Sequence, residues 1–330
     1  MHSMPVKISG TGRFLPEKIL TNQDFEALVS TTDQWIRERT GITQRHIAGE
    51  GESTATMAAE ASRNALADAG LKPTEIDMII VATITPECFF PSTACFVQDS
   101  IGANSVPSFD ISAACSGYIY ALLLGAQFLQ NEQYRHVLII GSETMSRITD
   151  YQDRSSCILF GDGAGAVVLS ASKDPTGPCI IHSKMHASGA NSTMLWVPAG
   201  GSRLPTSEMT VRERLHYIKM QGREVYKVAV KKNIEVIERT LAEAGVSPEE
   251  LAVVIPHQSN LRIIDSAREK LGLPKEKMFT NIQNCGNTSA ASIAMGLDEC
   301  RKTGRLTAGD IVLMVAFGAG WTWASALIRM

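Results

Sequence analysis

The feature that most constrains this chain is that it repeats itself. Residues 66–81 read LADAGLKPTEIDMIIV and residues 241–256 read LAEAGVSPEELAVVIP. Each phrase closes a helical pattern at Ala-Gly, passes a proline (Pro73, Pro248) and enters an apolar run. Gly70 and Gly245 stand 175 residues apart, and so do the starts of VLII at 137–140 and VLMV at 312–315. A helix–glycine–strand phrase occurs in any α/β protein, so one match would mean little. Two matches at one offset imply two copies of one unit.

Within each copy, helical periodicity runs through TATMAAEASRNALADAG and KVAVKKNIEVIERTLAEAG. The apolar runs Met78–Thr83, His136–Ile140, Val253–Pro256 and Ile311–Ala316 show little polar alternation, the pattern of strands covered on both faces. The expectation is an α/β chain with a duplicated fold, halves 1–173 and 174–330, packed as a five-layered αβαβα sandwich. Residues 174–215 are rich in Gly, Pro, Ser and Thr and are expected to supply loops between the halves.

Composition removes several functions. At 330 residues the chain exceeds the usual single core, and 44% hydrophobic residues against 20% charged is an ordinary globular balance. A net charge of −3 gives no global field toward nucleic acid, so an anionic partner would need a local basic patch. Seven cysteines, an odd number with no CxxC pair, argue against a disulfide framework or zinc site and for a reducing compartment. The opening MHSMPVKISGTG holds no apolar stretch of signal-peptide length, and the longest apolar stretch, around Ile119–Leu124, is far short of a membrane span. A cytoplasmic protein with no nucleic-acid or membrane partner is the expectation.

Three phrases carry chemistry. In FDISAACSGYIYALLLGAQFL, residues 109–129, Cys115 falls where a strand gives way to a helix. Free backbone N–H groups there are expected to lower the thiol's pKa and later to hold an oxyanion on an acylated sulfur. The plain alternative is a small residue that lets helix and strand pack closely beside Gly117. In VIPHQSNLRIID, residues 254–265, His257 directly follows a strand, where a loop at the sheet's carboxyl edge would begin. In NIQNCGNTSAASIAMGL, residues 281–297, Asn287 precedes a small-residue helix and could equally be its cap.

Together, Cys115 in DISAACSG, His257 in PHQSNLRI and Asn287 in GNTSAASI resemble, in order and spacing, the Cys–His–Asn signature of the β-ketoacyl-[acyl-carrier-protein] synthase III family. The likeness runs nearly end to end, through DQWIRERTGI near residue 35, FGDGAGAVVL at 160–169 and FGAGWTW at 317–323. Chain-elongating relatives carry a second histidine where Asn287 stands. The resemblance implies a thiolase-like fold and the initiating condensation of type II fatty-acid synthesis. Cys115 would take an acyl group from acyl-CoA, malonyl-acyl carrier protein (malonyl-ACP) would lose CO2, and His257 and Asn287 would hold the enolate. No metal or cofactor is implied.

The same resemblance assigns a second oxyanion hole to the N–H groups of Cys115 and Ala319, the latter at a position often held by glycine. Trp35, Arg39 and Arg154 match positions that clamp the adenine and phosphates of coenzyme A. Arg223, Lys227 and Arg262 match the patch that docks acyl carrier protein. Phe90 matches a residue that crosses a homodimer interface to line the partner's acyl pocket, which favours short primers such as acetyl. Four other readings remain open: a secondary-metabolite acyltransferase, a cysteine thioesterase, a non-catalytic partner subunit, and an NAD-dependent oxidoreductase built on GDGAGA at 161–166. The last would need a helix after that phrase, where VVLS reads as a strand.

Overall fold

A computed structural model describes residues 4–174 and 176–330. Among these residues, nine strands form two mixed sheets. The first contains β1 (Val6–Phe14), β2 (Met78–Ala82), β3 (Ser108–Ile111), β4 (His136–Thr144) and β5 (Asp162–Ala171), in the order β1-β5-β4-β2-β3. The second contains β6 (Cys179–Ala187), β7 (Leu251–Pro256), β8 (Ile311–Gly318) and β9 (Thr322–Arg329), in the order β6-β9-β8-β7. β2 is parallel to both its neighbours and β7 is parallel to β8, whereas the other pairings are antiparallel.

The duplication is visible element by element. The helix α2 (Thr54–Ala69) and the later α5 (Gly222–Ala244) each end on a glycine in the left-handed conformation, Gly70 at φ +66° and Gly245 at φ +66°. That conformation is cheap only without a Cβ, which is why both phrases stop at Ala-Gly. Each helix then leads through a short turn (Pro73–Glu75, Pro248–Glu250) into the next strand. In the second sheet, an isolated parallel bridge from Met278 to Val254 takes the place that β3 holds in the first.

Helices α4 (Gly117–Phe128) and α7 (Ala291–Lys302) lie between the sheets and touch both. α2 and α3 (Thr93–Ile101) cover the outer face of the first sheet, and α5 and α6 (Leu261–Lys270) cover that of the second. The layers are therefore αβαβα. The largest apolar cluster joins the inner faces of both sheets through Ile119, Leu122, Ile293 and Leu297, all fully buried, so the two halves share one core. β2 is buried at all five positions, as its unbroken apolar run requires.

Two expectations need correction or refinement. Residues 174–215 are not only loops: they contain β6, whose backbone pairs along β9 and whose burial falls off from Cys179 and Ile180 toward Met185 and Ala187 without clean alternation. GDGAGA is not a loop at all, because Asp162 begins β5. A Cβ on Gly165 would lie 2.6 Å from the backbone nitrogen of Met295, so this glycine serves close approach of α7 to the sheet. Among the described residues no helix is long and apolar enough to cross a membrane.

Candidate active site

Cys115 sits in a single 3₁₀ turn, Ala114–Ser116, between β3 and α4. Ala114 is held at φ +47°, a left-handed conformation that a residue with a Cβ keeps only where its surroundings enforce it. The enforcement comes from the other half of the chain. Ser116 donates to the carbonyl of Thr322 at 3.1 Å, and the Thr322 hydroxyl donates to the carbonyl of Ala113 at 2.9 Å. Gly318 approaches so closely that a Cβ on it would stand 2.7 Å from the Cys115 nitrogen.

Neither the N–H of Cys115 nor that of Ala319 donates to a protein acceptor among the described residues. Ala319 is not among the residues with positive φ, whereas the next residue, Gly320, is at φ +133°. The backbone therefore tolerates the Cβ of Ala319, and the two residues with free N–H groups, Cys115 and Ala319, line the same cavity.

The ionisation of Cys115 departs from the sequence expectation. Burial pushes the thiol up to about 12, the Glu143 carboxyl pushes the same way, and a hydrogen-bonding contribution from Ser289 opposes them. Loss of water outweighs the helix-terminal amides, because the anion would stand on a cavity wall that is mostly apolar.

His257 follows β7 and is buried, and its own N–H donates to the carbonyl of Val315 at 2.8 Å. Burial lowers the imidazole to about 3, so it is neutral at physiological pH. Nδ1 lies 2.8 Å from the Ser292 hydroxyl, which also accepts the N–H of Gln258 at 3.3 Å. With that amide pointing at its oxygen, Ser292 is free to donate its proton to Nδ1. The tautomer then carries hydrogen on Nε2, and Nε2 is buried with no partner among the described residues.

Asn287 is in the loop before α7 and is not the helix cap, which falls at Ala290. Its backbone is bonded on both sides to the strand leading into β5: its N–H donates to Leu159 at 2.9 Å and its carbonyl accepts from Gly161 at 3.0 Å. Its Oδ1 accepts the N–H of Ser289 at 2.9 Å, which leaves Nδ2 as the outward donor.

Cys115, His257, Asn287 and Ala319 all line one cavity of about 480 Å³. Its inner wall is apolar, with Met145, Phe160 and Ile218 forming one buried cluster. Trp35 and Arg39 line the outer part. Trp35 is on α1 (Asp33–Thr40), where its N–H is capped by the Thr32 hydroxyl, and two guanidinium groups flank the ring: Arg154 at 4.4 Å and Arg39 at 5.9 Å from the centroid. Arg223 also lines the cavity, and Arg262 lies over the Tyr226 ring at 5.7 Å. Lys227 is exposed, with its ammonium group paired to Glu224 at 3.0 Å. Phe90 lies outside the cavity and is 85% exposed, so within one chain it bounds no acyl group.

Three participants escaped sequence reasoning. Ser289 and Ser292 were hidden in the small-residue phrase NTSAAS, and Glu143 ends an otherwise apolar strand. The signal for Glu143 was a lone carboxylate in VLIIGSET. Among the described residues no cluster of His, Cys, Asp or Glu is arranged to hold a metal ion.

Comparison with known proteins places the chain in a family. Residues 109–189 match the family described as 3-oxoacyl-[acyl-carrier-protein (ACP)] synthase III, and residues 241–330 match its C-terminal counterpart. A β-ketoacyl-[acyl-carrier-protein] synthase III of Caldanaerobacter subterraneus subsp. tengcongensis is 51% identical, over 98% of this chain and 97% of its own. The crystal structure of the 3-oxoacyl-[acyl-carrier-protein] synthase III of Aquifex aeolicus VF5 superposes with a TM-score of 0.90 at 48% identity, covering 98% of this chain and 100% of that one. A priming β-ketosynthase from the R1128 polyketide pathway superposes equally well, TM-score 0.90, at 32% identity, over 100% of this chain and 97% of its own.

Proposed function

The chain belongs to the 3-oxoacyl-[acyl-carrier-protein] synthase III family, and from that premise we propose how its own residues perform the family's reaction. It is an acyltransferase, the condensing enzyme that initiates type II fatty-acid synthesis. In our reading Cys115 attacks the thioester carbonyl of a short acyl-CoA, and the N–H groups of Cys115 and Ala319 receive the oxyanion. Coenzyme A leaves as the thiol. Malonyl-ACP enters next, and its loss of CO2 generates an enolate whose oxygen is held by His257 Nε2–H and Asn287 Nδ2–H. The carbanion attacks acyl-Cys115, and collapse of the tetrahedral adduct frees β-ketoacyl-ACP and the sulfur. Decarboxylation drives bond formation, so the scheme calls on no cofactor.

One observation carries this reading: two neutral donors, His257 Nε2 and Asn287 Nδ2, are left without partners among the described residues while the opposite atom of each side chain is tied down. A charged imidazolium would protonate the carbanion, whereas a neutral one held near 3 stabilises it without quenching. Trp35 between Arg39 and Arg154 suits a purine and its phosphates, and Arg223 with Arg262 suits an acidic carrier protein at the entrance. Lys227 contributes less, since Glu224 already neutralises it.

We read the assembly as a cytoplasmic homodimer. β3 is the outermost strand of its sheet, with an open edge, and Phe89 and Phe90 are 86% and 85% exposed in the loop before α3, whose next residues Ser92 and Thr93 bond to Ser108 and Asp110 of β3. Aromatic rings and an open edge of this kind favour cover by a second copy, from which Phe90 would close the acyl pocket and restrict it to short primers. Incubation with radiolabelled acetyl-CoA followed by peptide mapping tests the central assignment. Label on the Cys115 peptide is expected; labelling elsewhere, or free acetate alone, would reject it.

A further inference from the structure

The cysteine thiol must lose its proton as it becomes acylated, and neither His257 nor Asn287 offers an acceptor for it. His257 needs its Nε2 proton to act as a donor, and its Nδ1 is engaged by Ser292. Asn287 turns only its amide outward. Glu143, the penultimate residue of β4, is fully buried with no cation among its partners in the described residues. One carboxyl oxygen, Oε2, is crowded by four donors: the Thr83 hydroxyl at 3.1 Å, the N–H groups of Ile84 and Thr85 at 3.1 Å each, and the Thr85 hydroxyl at 2.6 Å. The other, Oε1, has a single partner among the described residues, the Ser289 hydroxyl at 2.9 Å.

That asymmetry assigns a place for a proton. With Oε2 filled by donors, a proton can be carried only on Oε1, in line with Ser289. We propose that Glu143 accepts the Cys115 proton through the Ser289 hydroxyl during acylation, and returns it to the departing coenzyme A sulfur. In the resting site the carboxylate accepts from Ser289. As the sulfur attacks, its S–H proton passes to Ser289 Oγ while the Ser289 proton passes to Glu143 Oε1. The S–H bond breaks, the carboxyl O–H forms, and the hydroxyl now donates to the sulfur side. When the thioester C–S bond of the substrate breaks, the same path runs in reverse and coenzyme A leaves as its thiol.

The ionisation behaviour fits. Burial raises the Glu143 carboxyl above the ordinary range against the pull of Thr85, Ile84, Ser289 and Thr83, and the Glu143 charge is what adds to the burial of Cys115. Ser289 bears on both acids, through its 2.9 Å contact to Glu143 and its hydrogen-bonding contribution at Cys115; among the other titratable side chains on the cavity wall, His257 is neutral. The Glu143 charge opposes ionisation of Cys115, so the two titrations are coupled.

This inference rests on Cys115 being the acylated residue, and the experiment separates the two. Acetyl label on the wild-type Cys115 peptide establishes the nucleophile. Glu143→Gln can then turn its carbonyl oxygen to the four donors and its amide to Ser289, copying the protonated carboxyl without its basicity. Acylation by acetyl-CoA is expected to slow by about 10²-fold, as for loss of a general base. Alkylation of Cys115 by iodoacetamide is expected to do the opposite and to show a midpoint at lower pH, because the neighbouring charge is gone. Ser289→Ala keeps the backbone N–H that holds Asn287 and keeps the charge, so it should slow acylation with no gain in alkylation; this variant decides the matter if the first does not fold. Wild-type acylation in either variant, or parallel loss of acylation and alkylation with an unshifted pH profile, would overturn the proposal.

Discussion

The neutrality of His257 can be tested through stability, independently of any substrate. Its imidazole is held near 3 in the folded protein against an ordinary value of 6.5. Between those values the unfolded chain binds a proton that the folded protein refuses, so stability must fall as the pH drops through 6.5 and be constant above it. At pH 7.5 the contribution is close to zero. At pH 5, one and a half units below the unfolded value and above the folded one, it amounts to a penalty of about 2 kcal/mol.

The perturbation is His257→Asn, which removes the titration and keeps a polar side chain. Urea unfolding of both proteins at pH 7.5 and pH 5 gives four midpoints. The variant is expected to be less stable at pH 7.5, since the contact to Ser292 is lost, yet to lose about 2 kcal/mol less than wild type on going to pH 5. His136, His182 and His186 are also lowered by burial, but they titrate alike in both proteins and cancel in the double difference. Equal pH slopes would refute a buried neutral imidazole, and with it the assignment of His257 as a neutral donor to the enolate.

Three further substitutions separate the steps of the cycle. Asn287→Ala should cut CO2 release from malonyl-ACP by about 10²–10³ while acyl-Cys115 still forms, because only the enolate loses a donor; equal loss in both half-reactions would contradict its role. Gly318→Ala places a Cβ 2.7 Å from the Cys115 nitrogen, so the turn must shift, and acylation should fall by about 10²-fold with circular dichroism unchanged. Arg154→Ala removes the group 4.4 Å from the Trp35 ring and should raise the KM for acyl-CoA roughly fivefold at unchanged kcat; a change confined to kcat would place Arg154 elsewhere in the cycle.

Repetition and periodicity made most of this fold legible in the sequence. The 175-residue offset, the Ala-Gly helix ends and the apolar strands translated directly into two sheets and five layers. Cys115 and His257 could be placed at strand ends because a strand pattern stops before them, and Asn287 at a loop because a small-residue helix follows it. β6 was missed since its burial alternates irregularly along an outer strand and its composition resembles a loop. The thiol's ionisation was misjudged because the sequence reveals a helix start but not the volume of apolar wall around it. Ser289, Ser292 and Glu143 were illegible for a related reason: hydroxyls and a carboxylate mean little until 2.8–2.9 Å contacts join them across 146 and 35 residues of chain.

The duplication also accounts for why the cavity holds one nucleophile and not two. At the same offset, Ala114 corresponds to Ser289, and both are at φ +47°, so the strained turn itself occurs twice. The counterpart of Cys115 is Ala290, and that of Glu143 is Gly318. In the first half, Ala82 packs on Gly117, where an added Cβ would stand 3.2 Å away; their counterparts are His257 and Ser292, joined at 2.8 Å. One turn thus keeps the thiol with small neighbours, and the other gives up the thiol for a bound imidazole and a hydroxyl. Each half contributes the strand end that packs on the other's turn: Gly318 presses on Cys115, and Glu143 reaches Ser289. Installing a cysteine at Ala290 would therefore create no second centre, because that position is 1% exposed and the imidazole's counterpart beside the first turn is Ala82, which has no donor to offer.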